Sequence, residues 1–283
     1  MIRSISIQSD RSIDCNHYHD NHDIDTSLVD LEIIVDGSSS SSSSSSLVVE
    51  IGNDFATLLW ESSLVLSWYL INVEFAGCTD CLIHRQQQEH RNNNSNNRII
   101  RTIEIGAGIA LPSLVACSLG ASVIITDREG STTNSIFQGI NSNIQHNQQR
   151  SLKGRIPPTL IELSYGIFSN EVLSLPPVDY LFASDLFYNN TKDYDDIFAT
   201  LSYFININPN IIILLCYQIR SVQKTISHYL YKWGMIGESI LIDFLPIDQE
   251  LRSEIELFKI TSAKVSETNM SSTSIVVEDS GSD

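Results

Sequence analysis

The sequence has few basic residues: Lys and Arg together number 17 among 283 residues, against 34 Asp and Glu. The formal net charge at pH 7 is therefore −17. A protein that binds nucleic acid directly needs a basic face for the phosphate backbone, so this balance argues against such a partner. It suits a basic protein partner instead, because an acidic surface attracts one over long distances.

Long apolar runs and paired cysteines are also lacking. No uninterrupted apolar stretch reaches the length needed to cross a membrane, and the opening MIRSISIQSD lacks the pattern of a cleavable signal peptide. The five cysteines, an odd number at irregular spacing, indicate reduced thiols rather than a disulfide framework. These absences predict no membrane association and a location in the cytoplasm, the nucleus or both.

Four segments are too polar to contribute to a hydrophobic core. We expect disordered tails at residues 1–28 and 265–283, and surface insertions at the Ser tract 38–46 and the Gln/Asn-rich stretch 85–98. Such insertions cost little, because the entropy of loop closure grows only logarithmically with loop length. The remaining chain, residues 29–264, is predicted to form a single domain.

Two stretches contain residue types that bind metals. One lies in the first tail, with Cys15, His17, His19 and His22, and the other is CTDCLIH at residues 78–84. A structural zinc site needs four ligands at suitable spacing, held by a folded framework. The first stretch has no apolar pattern and the second is followed by no further pair of cysteines, so we predict no metal site.

Alternating apolar patterns after residue 99 predict strands and helices in turn, which is typical of an α/β fold. Two short β-branched runs precede them, at residues 31–35 and 47–51, and the Asp-Gly pair at 36–37 between them is a strong turn signal. These runs predict an N-terminal β-hairpin with an inflated loop. The apolar stretch 57–69 then predicts a buried helix that includes Trp60.

Residues 99–127, IIRTIEIGAGIALPSLVACSLGASVIITD, predict a βαβ unit. A β-branched run ends at the glycine turn Gly106-Ala107-Gly108, a helix follows over 111–119, and a second buried strand ends on Asp127. Glycine lets a ligand approach the backbone, and the start of the helix offers free N–H groups. A carboxylate in the position of Asp127 can accept hydrogen bonds from both hydroxyls of a ribose, so the unit is predicted to bind a nucleoside.

The glycine pattern distinguishes between two nucleoside cofactors. Leu111 stands where a dinucleotide fingerprint has its third glycine, which serves close packing around a pyrophosphate. Glu104, two residues before the first glycine, adds a negative charge that a pyrophosphate would not need. S-adenosylmethionine carries a sulfonium and an ammonium, so it fits this acidic turn better. The residues favour a methyltransferase, and leave an NAD enzyme or a βαβ unit without a ligand as alternatives.

A second stretch, SLPPVDYLFASDLFY at residues 174–188, places polar side chains at the end of another strand. Residues 178–183 predict a buried strand, after which Asp185 and Tyr188 leave its carboxyl end. Doubly wound sheets bind ligands at the carboxyl ends of their strands, so we expect these side chains to face the same crevice as Gly106 and Asp127. The alternative is that Asp185 caps the helix predicted to begin near residues 191–193.

These motifs resemble those of the seven-strand (class I) methyltransferases. EIGAGIALP at residues 104–112 and LGASVIITD at 119–127 resemble the first two motifs of the small protein methyltransferases called methyltransferase-like. The Leu-Pro pair after the glycine turn marks this branch, whereas Ser113 stands where the branch usually has another glycine. With YQIRS at 217–221 and YKWGM at 231–235, the similarity extends from about residue 47 to 263, apart from the Asn-rich stretch.

The resemblance implies a Rossmann-like seven-stranded methyltransferase sandwich, closed by an antiparallel hairpin, that uses S-adenosyl-L-methionine. It also implies that Trp60 lines the cofactor pocket, that Tyr165 flanks the adenine, and that the motif from Asp185 to Tyr188 borders both donor and acceptor. The predicted catalytic residues are Asp185 and Tyr188. The predicted cofactor-binding residues are Trp60, Glu104, Gly106, Ala107, Gly108, Asp127, Tyr165 and Ala183.

The activity implied by the resemblance is protein methylation, with histone arginine as the acceptor expected for the most similar family member. A carboxylate such as Asp185 can orient and polarise a guanidinium through a bidentate hydrogen bond. The pair of glutamates on one loop that well-known arginine methyltransferases use is not found here, so residue chemistry leaves lysine open. A donor-binding scaffold without activity and an enzyme acting on small molecules are further alternatives. We expect a monomer or a component of a protein complex.

Overall fold

The computed structural model describes residues 3–4, 31–35, 47–51, 58–75, 99–128, 131–188, 191–220, 226–242 and 254–263. The predicted tails lie outside these ranges except for residues 3 and 4. Both predicted insertions, 38–46 and 85–98, and the two stretches with metal-binding residue types also lie outside them. Within the described residues, no helix is both long enough and apolar enough to cross a membrane.

The described secondary structure alternates between strands and helices. The strands are β1 (Arg3–Ser4), β2 (Leu31–Val35), β3 (Leu47–Ile51), β4 (Arg101–Ile105), β5 (Ser122–Asp127), β6 (Thr159–Glu162), β7 (Tyr180–Ser184), β8 (Ile212–Gln218), β9 (Met235–Ile240) and β10 (Ile255–Ser262). The α-helices are α1 (Glu61–Tyr69), α2 (Leu111–Ser118), α3 (Ser131–Asn147), α4 (Asn170–Leu173), α5 (Tyr194–Ile207) and α6 (Ser227–Lys232). A π-helical turn, Leu70–Glu74, extends α1, and a 3-10 turn, Thr191–Asp193, precedes α5.

Seven strands form one sheet in the order β6-β5-β4-β7-β8-β10-β9. The pairs from β6 to β8 are parallel, and β10 is antiparallel to both of its neighbours, β8 and β9. The chain leaves β4 in one direction through β5 and β6, then returns to the other side of β4 as β7. This reversal makes a crevice at the carboxyl ends of β4 and β7. The order confirms the predicted Rossmann-like seven-stranded sandwich and its closing antiparallel hairpin.

Both faces of the sheet are buried, because successive strand residues point to opposite faces and both sets are apolar. In β7, Leu181 and Ala183 belong to one buried cluster and Phe182 belongs to the other. The Phe182 cluster includes residues of α1, α2 and α3, and the other cluster includes residues of α4, α5 and α6. Each large side chain buried in this way contributes roughly 1.5–3 kcal/mol. The two layers hold the strand ends at the crevice in fixed positions.

The two N-terminal runs form strands, but a parallel pair replaces the predicted hairpin. Leu31 of β2 lies opposite Leu47 of β3, and Val35 lies opposite Ile51. β1 pairs antiparallel with β2 and completes a separate three-stranded sheet. An Asp-Gly turn makes a hairpin only when the second strand follows at once. Here residues 36–46 intervene, and a connection of that length can reach back along a strand of roughly 17 Å.

The helix before the large sheet begins later than predicted. α1 begins at Glu61, and Trp60 precedes it in an extended conformation with φ −89° and ψ 139°. The carbonyl of Trp60 accepts hydrogen bonds from the Ser63 N–H at 3.0 Å and the Ser63 hydroxyl at 2.7 Å. These bonds close the first helical turn, so Trp60 lies at the junction before the helix rather than within it.

Candidate active site

The glycine turn after β4 has a backbone that residues with a Cβ rarely adopt. Gly106 and Gly108 have φ of +61° and +55°, and Ala110 before α2 has φ of +59°. A left-handed conformation costs a residue such as Ala110 about 1–2 kcal/mol. Backbone hydrogen bonds hold the turn: the Ala107 N–H donates to the Thr126 carbonyl at 3.0 Å, and the Ala110 N–H donates to the Ala107 carbonyl at 2.7 Å. The turn is therefore fixed against β5.

Glu104 is a fully buried carboxyl in β4. Its Oε2 accepts a hydrogen bond from the Ser113 N–H in the first turn of α2 at 3.0 Å, whereas its Oε1 accepts none within the described part of the chain. Burial raises the pKa of Glu104 to about 8, against hydrogen bonding from Ser113, which lowers it. Such a group is largely neutral at pH 7 unless a cation joins it, because burial disfavours the charged form. Oε1 therefore suits a positively charged ligand.

Ser113 stands where the family usually has a glycine, but this difference leaves its hydrogen bond to Glu104 intact. The N–H that reaches Glu104 belongs to the backbone, which a serine supplies as well as a glycine does. Ser113 is fully buried within α2. The substitution therefore gives no reason to doubt the turn.

Asp127 ends β5 and joins it to the glycine turn. Its Oδ2 accepts the Gly108 N–H at 2.9 Å, and its Oδ1 accepts the Arg128 N–H at 2.8 Å. The residue is 7% exposed, and burial raises the pKa of Asp127, although both hydrogen bonds oppose the rise. A carboxylate has about four lone-pair sites, so two remain for the hydroxyls of a ribose. The position is compatible with the predicted ribose contact, which stays a prediction.

Tyr165 lies against the glycine turn. A Cβ added to Gly106 would clash with the Tyr165 hydroxyl oxygen and would meet the Cδ2 of Leu186 at 2.5 Å. The turn therefore requires glycine for lack of space as well as for its φ. Burial raises the pKa of Tyr165, so its hydroxyl stays protonated. Tyr165 belongs to the crevice, and its stacking against an adenine stays a prediction.

Asp185 follows β7 in a left-handed conformation, with φ of +52°, and is 9% exposed. Its Oδ2 forms an ion pair with an Nη atom of Arg220 at 2.6 Å, and its Oδ1 accepts the Gln218 N–H at 3.3 Å. Burial raises the pKa of Asp185, and the Arg220 guanidinium opposes that rise. The residue before α5 is Asp193, so Asp185 does not cap this helix. The capping alternative is wrong because Asp185 turns back towards β8.

Arg220 connects Asp185 to Trp60. Its guanidinium carbon lies 5.2 Å from the centroid of the Trp60 ring, within the range of a cation–π contact. No role was predicted for Arg220, which lies within YQIRS at residues 217–221. The available signal was its place directly after β8, one strand along from the end of β7. The structure therefore adds Arg220 to the candidate site.

The other two predicted residues lie at the end of β7. Ala183 is fully buried and pairs with Ile105, the residue before the glycine turn. Tyr188 is half-buried, and its carbonyl accepts a hydrogen bond from the Tyr194 hydroxyl at 3.2 Å. Pairing of β4 with β7 thus brings the glycine turn and the stretch from Asp185 to Tyr188 to one edge of the sheet.

These residues fit S-adenosylmethionine. A buried carboxyl with an oxygen that accepts no hydrogen bond from the described residues suits a cation, the left-handed glycines leave room for a close approach, and Asp127 suits a ribose. A dinucleotide is disfavoured because Glu104 lies beside the turn that would receive its pyrophosphate. Among the described residues, no group of three or more His, Cys, Asp or Glu side chains could hold a metal ion.

Comparison with known proteins also points to a methyltransferase. A family model described as "Lysine methyltransferase" matches residues 41–232. Methyltransferase-like protein 23 of Dictyostelium discoideum is 37% identical over 216 residues, which is 74% of this chain and 78% of that protein. Histone-arginine methyltransferase METTL23 of Homo sapiens is 32% identical over 52% of this chain and 73% of its own length. Protein N-lysine methyltransferase METTL21A of Mus musculus is 28% identical over 57% of this chain and 60% of its own length.

The family match covers most of the described domain, from before β3 to the end of α6. It includes the glycine turn, Asp127, Asp185 and Arg220. The relatives act on different side chains, arginine in one case and lysine in the other. The chain belongs to the lysine methyltransferase family and is an S-adenosyl-L-methionine-dependent protein methyltransferase.

Proposed function

We propose that this chain methylates arginine side chains of a basic protein such as a histone. The name of the human relative supports the arginine acceptor, and the net charge of −17 supports a basic substrate. The observation that carries the choice is the contact between Asp185 and Arg220, because the carboxylate at the carboxyl end of β7 already binds a guanidinium.

On the donor side, the role of this chain's residues is to bind and orient S-adenosylmethionine. When bound, S-adenosylmethionine supplies a methyl group that its sulfonium has already activated. Asp127 would hold the ribose, and the glycine turn would allow the close approach. Glu104 would neutralise part of the donor's positive charge, since its Oε1 is buried without a partner in the described chain. Fixed placement of this kind lowers the barrier by removing the entropy cost of alignment.

On the acceptor side, Asp185 retains hydrogen-bonding capacity. Its Oδ2 is engaged at 2.6 Å by Arg220, but its Oδ1 accepts only a long bond of 3.3 Å from the backbone of Gln218 in the described chain. An arginine starts with a pKa above 12 and is a weak nucleophile while its charge is delocalised. A carboxylate at Oδ1 would orient the guanidinium and polarise it, and Tyr188 would shape the slot.

Lysine is the second candidate acceptor. It is supported by the description of the family and by the name of METTL21A. A lysine ammonium can occupy the same carboxylate, but it must first lose a proton from a group with a pKa near 10.4. The identity of the methylated residue decides between the two candidates.

The test incubates the full chain with isotope-labelled S-adenosylmethionine and three separate pools: purified histones, a protein lysate, and the small molecules of that lysate. Tandem mass spectrometry then locates the label. We expect label on arginine of histones or of another basic protein. Label on lysine alone would assign the second candidate, label only among small molecules would overturn the protein acceptor, and donor binding without transfer would indicate a scaffold.

The location of the protein follows from its acceptor. A histone substrate would require entry to the nucleus, whereas another basic protein would be compatible with the cytoplasm. Imaging of the tagged full chain, together with the identity of the labelled protein, would distinguish these locations.

A further inference from the structure

The donor carries three charged groups, and the residues discussed so far account for two of them. Its sulfonium and ammonium are positive and suit carboxylates, of which the crevice has Glu104, Asp127 and Asp185. Its methionine carboxylate is negative and needs a cation or several N–H donors. Carboxylates alone would repel it, so the site requires a positive group at the methionine end.

The order of the strands defines where the methionine end lies. Asp127 follows β5, and the acceptor-side residues follow β7, with β4 and its glycine turn between them. If the ribose lies at Asp127, the reactive methyl must point towards β7, so the methionine end lies on the β7 side. Neighbouring strands are roughly 5 Å apart, which separates the ends of β5 and β7 by roughly 10 Å. That span is comparable with the distance from ribose to carboxylate in an extended donor.

Among the described residues, two arginines come within two positions of a strand end at this edge of the sheet, and they lie on opposite sides. Arg128 is exposed and directly follows Asp127, which places it at the ribose side. Arg220 follows β8, and its guanidinium reaches back to Asp185 beyond the end of β7. Of these two cations, Arg220 is therefore the one at the methionine end.

The Arg220 guanidinium is held in place but retains binding capacity. The bond to Asp185 uses one of its five N–H donors, and the Trp60 ring lies on another side at 5.2 Å. Its side chain is 31% exposed, whereas that of Asp185 is 6% exposed. One end of this ion pair is thus buried in the protein, and the other is partly exposed and can meet a ligand.

We infer that Arg220 binds the methionine carboxylate of S-adenosylmethionine, and that Asp185 and Trp60 are positioning residues for its guanidinium. The carboxylate of the donor completes a chain of alternating charges: Asp185, Arg220, donor. A guanidinium fixed before the ligand arrives loses less side-chain entropy on binding than a mobile one. The inference depends on the donor and not on which protein side chain is methylated.

The test uses a pair of donors that differ only in this carboxylate. Isothermal titration calorimetry measures the affinity of the full chain for S-adenosylmethionine and for its decarboxylated form. The variants are Arg220→Leu and Arg220→Lys. The matched control is Lys232→Leu, which removes an equally charged side chain from an exposed ion pair with Asp195 on α5.

Arg220→Leu is expected to bind S-adenosylmethionine about 10- to 100-fold more weakly, the scale of a lost charge-assisted hydrogen bond. Its affinity for the decarboxylated donor should change less than about threefold, since that donor has no group for Arg220 to bind. Arg220→Lys should recover part of the loss, because lysine keeps the charge without the fork of donors. Lys232→Leu should leave both affinities unchanged.

Equal losses for the two donors would overturn the inference and make Arg220 a structural residue. Unchanged affinities would overturn it too, and tighter binding by Arg220→Leu would show that Arg220 obstructs the site. If circular dichroism shows that Arg220→Leu does not fold, the comparison uses the wild-type chain and Arg220→Lys instead. For each, the affinity for S-adenosylmethionine is divided by the affinity for its decarboxylated form, and this ratio should be lower for Arg220→Lys than for wild type. Failure of histone methylation would leave this result untouched, so the two proposals fail separately.

Discussion

The two sides of the crevice hold their carboxylates by different means. Glu104 and Asp127, on the donor side, accept hydrogen bonds from backbone N–H groups of the same βαβ unit, at Ser113, Gly108 and Arg128. Asp185, on the proposed acceptor side, accepts its shortest hydrogen bond, at 2.6 Å, from the side chain of Arg220, 35 positions away in sequence, and only a longer one, at 3.3 Å, from the backbone N–H of Gln218.

A backbone donor is present whatever the side chain, as Ser113 shows, so the donor side depends on the local conformation of one unit. The acceptor side depends on one particular residue, Arg220, and on how β7 and β8 meet. We therefore expect changes on the donor side to act through the backbone and through donor affinity. Changes at Asp185 should act through charge and through turnover, whereas changes at Arg220, which we infer binds the carboxylate of the donor, should act through donor affinity.

The largest effect is expected where the donor side relies on the absence of a side chain. Gly106→Ala should reduce the free energy of unfolding by about 2–4 kcal/mol and abolish measurable donor binding, because its φ of +61° is strained for alanine and its Cβ would meet Tyr165 and Leu186. Gly154→Ala is the matched control: it has φ of +74° but nothing within 4 Å of an added Cβ.

Gly154→Ala should therefore cost only the strain, about 1–2 kcal/mol, and leave donor binding intact. Urea unfolding and calorimetry measure both variants. Similar stabilities for the two variants would mean that Tyr165 and Leu186 do not constrain the turn.

On the acceptor side, Asp185→Asn should lower turnover about 100-fold, because the amide keeps the shape and a hydrogen bond to Arg220 but loses the charge that polarises the acceptor. Donor affinity should fall by less than about 1 kcal/mol, since Arg220 remains in place. Steady-state transfer and calorimetry separate the two quantities. Asp195→Asn, which changes an exposed carboxylate paired with Lys232, is the control and should behave as wild type.

On the donor side, Asp127→Ala should have the opposite effect: it should weaken donor binding and leave turnover unchanged. Loss of a ribose-binding carboxylate should weaken S-adenosylmethionine binding by roughly 1–3 kcal/mol, while turnover at saturating donor stays close to that of wild type. Glu162→Ala removes the exposed carboxylate that pairs with Asp127 in register on β6 and should have no effect. Unchanged donor affinity in a folded Asp127→Ala variant would defeat the ribose assignment.

The smallest effect concerns the pH dependence of stability. Burial raises the pKa of Glu104 in the folded chain from its ordinary value of 4.5 to about 8, so between these values the folded state binds more protons than the unfolded state. The free energy of unfolding should therefore fall as pH rises from 5.5 to 7.5, by about 1 kcal/mol per pH unit from this group.

Glu104→Gln mimics the protonated form and should remove that contribution. Urea unfolding of both proteins at several pH values tests this, with wild type losing stability relative to the variant as pH rises. Parallel profiles for the two proteins would mean that the carboxyl is ionised in the folded state without penalty.

The donor side was largely predictable from the sequence because its contacts are local. Gly106, Gly108 and Asp127 belong to one continuous stretch, and alternation of apolar residues predicted the strands on either side. The structure confirms the βαβ unit, with a helix over Leu111–Ser118 and a strand over Ser122–Asp127. That Oε1 of Glu104 accepts no hydrogen bond within the described chain was not predictable, since it depends on where the start of α2 places its N–H groups relative to β4.

On the acceptor side, the position of Asp185 could be predicted from the sequence, but its contact with Arg220 could not. Strand ends at the carboxyl edge follow from the alternating pattern, so Asp185 was expected in the crevice. Its pairing with Arg220 depends on the left-handed turn at Asp185, and nothing in the sequence indicates that a non-glycine residue adopts φ of +52° there. The parallel pairing of β2 with β3 escaped prediction for a different reason: the Asp-Gly pair at 36–37 was interpreted as a hairpin turn, whereas residues 36–46 separate the two strands.

The division of labour between the two sides is tested most directly by single-turnover transfer to histone at saturating S-adenosylmethionine, with Asp127→Ala and Asp185→Asn measured side by side. We expect a rate near that of wild type for Asp127→Ala once its weaker donor binding is saturated, and a rate about 100-fold lower for Asp185→Asn. Equal rates for the two variants would contradict it, because the two carboxylates would then serve the same step.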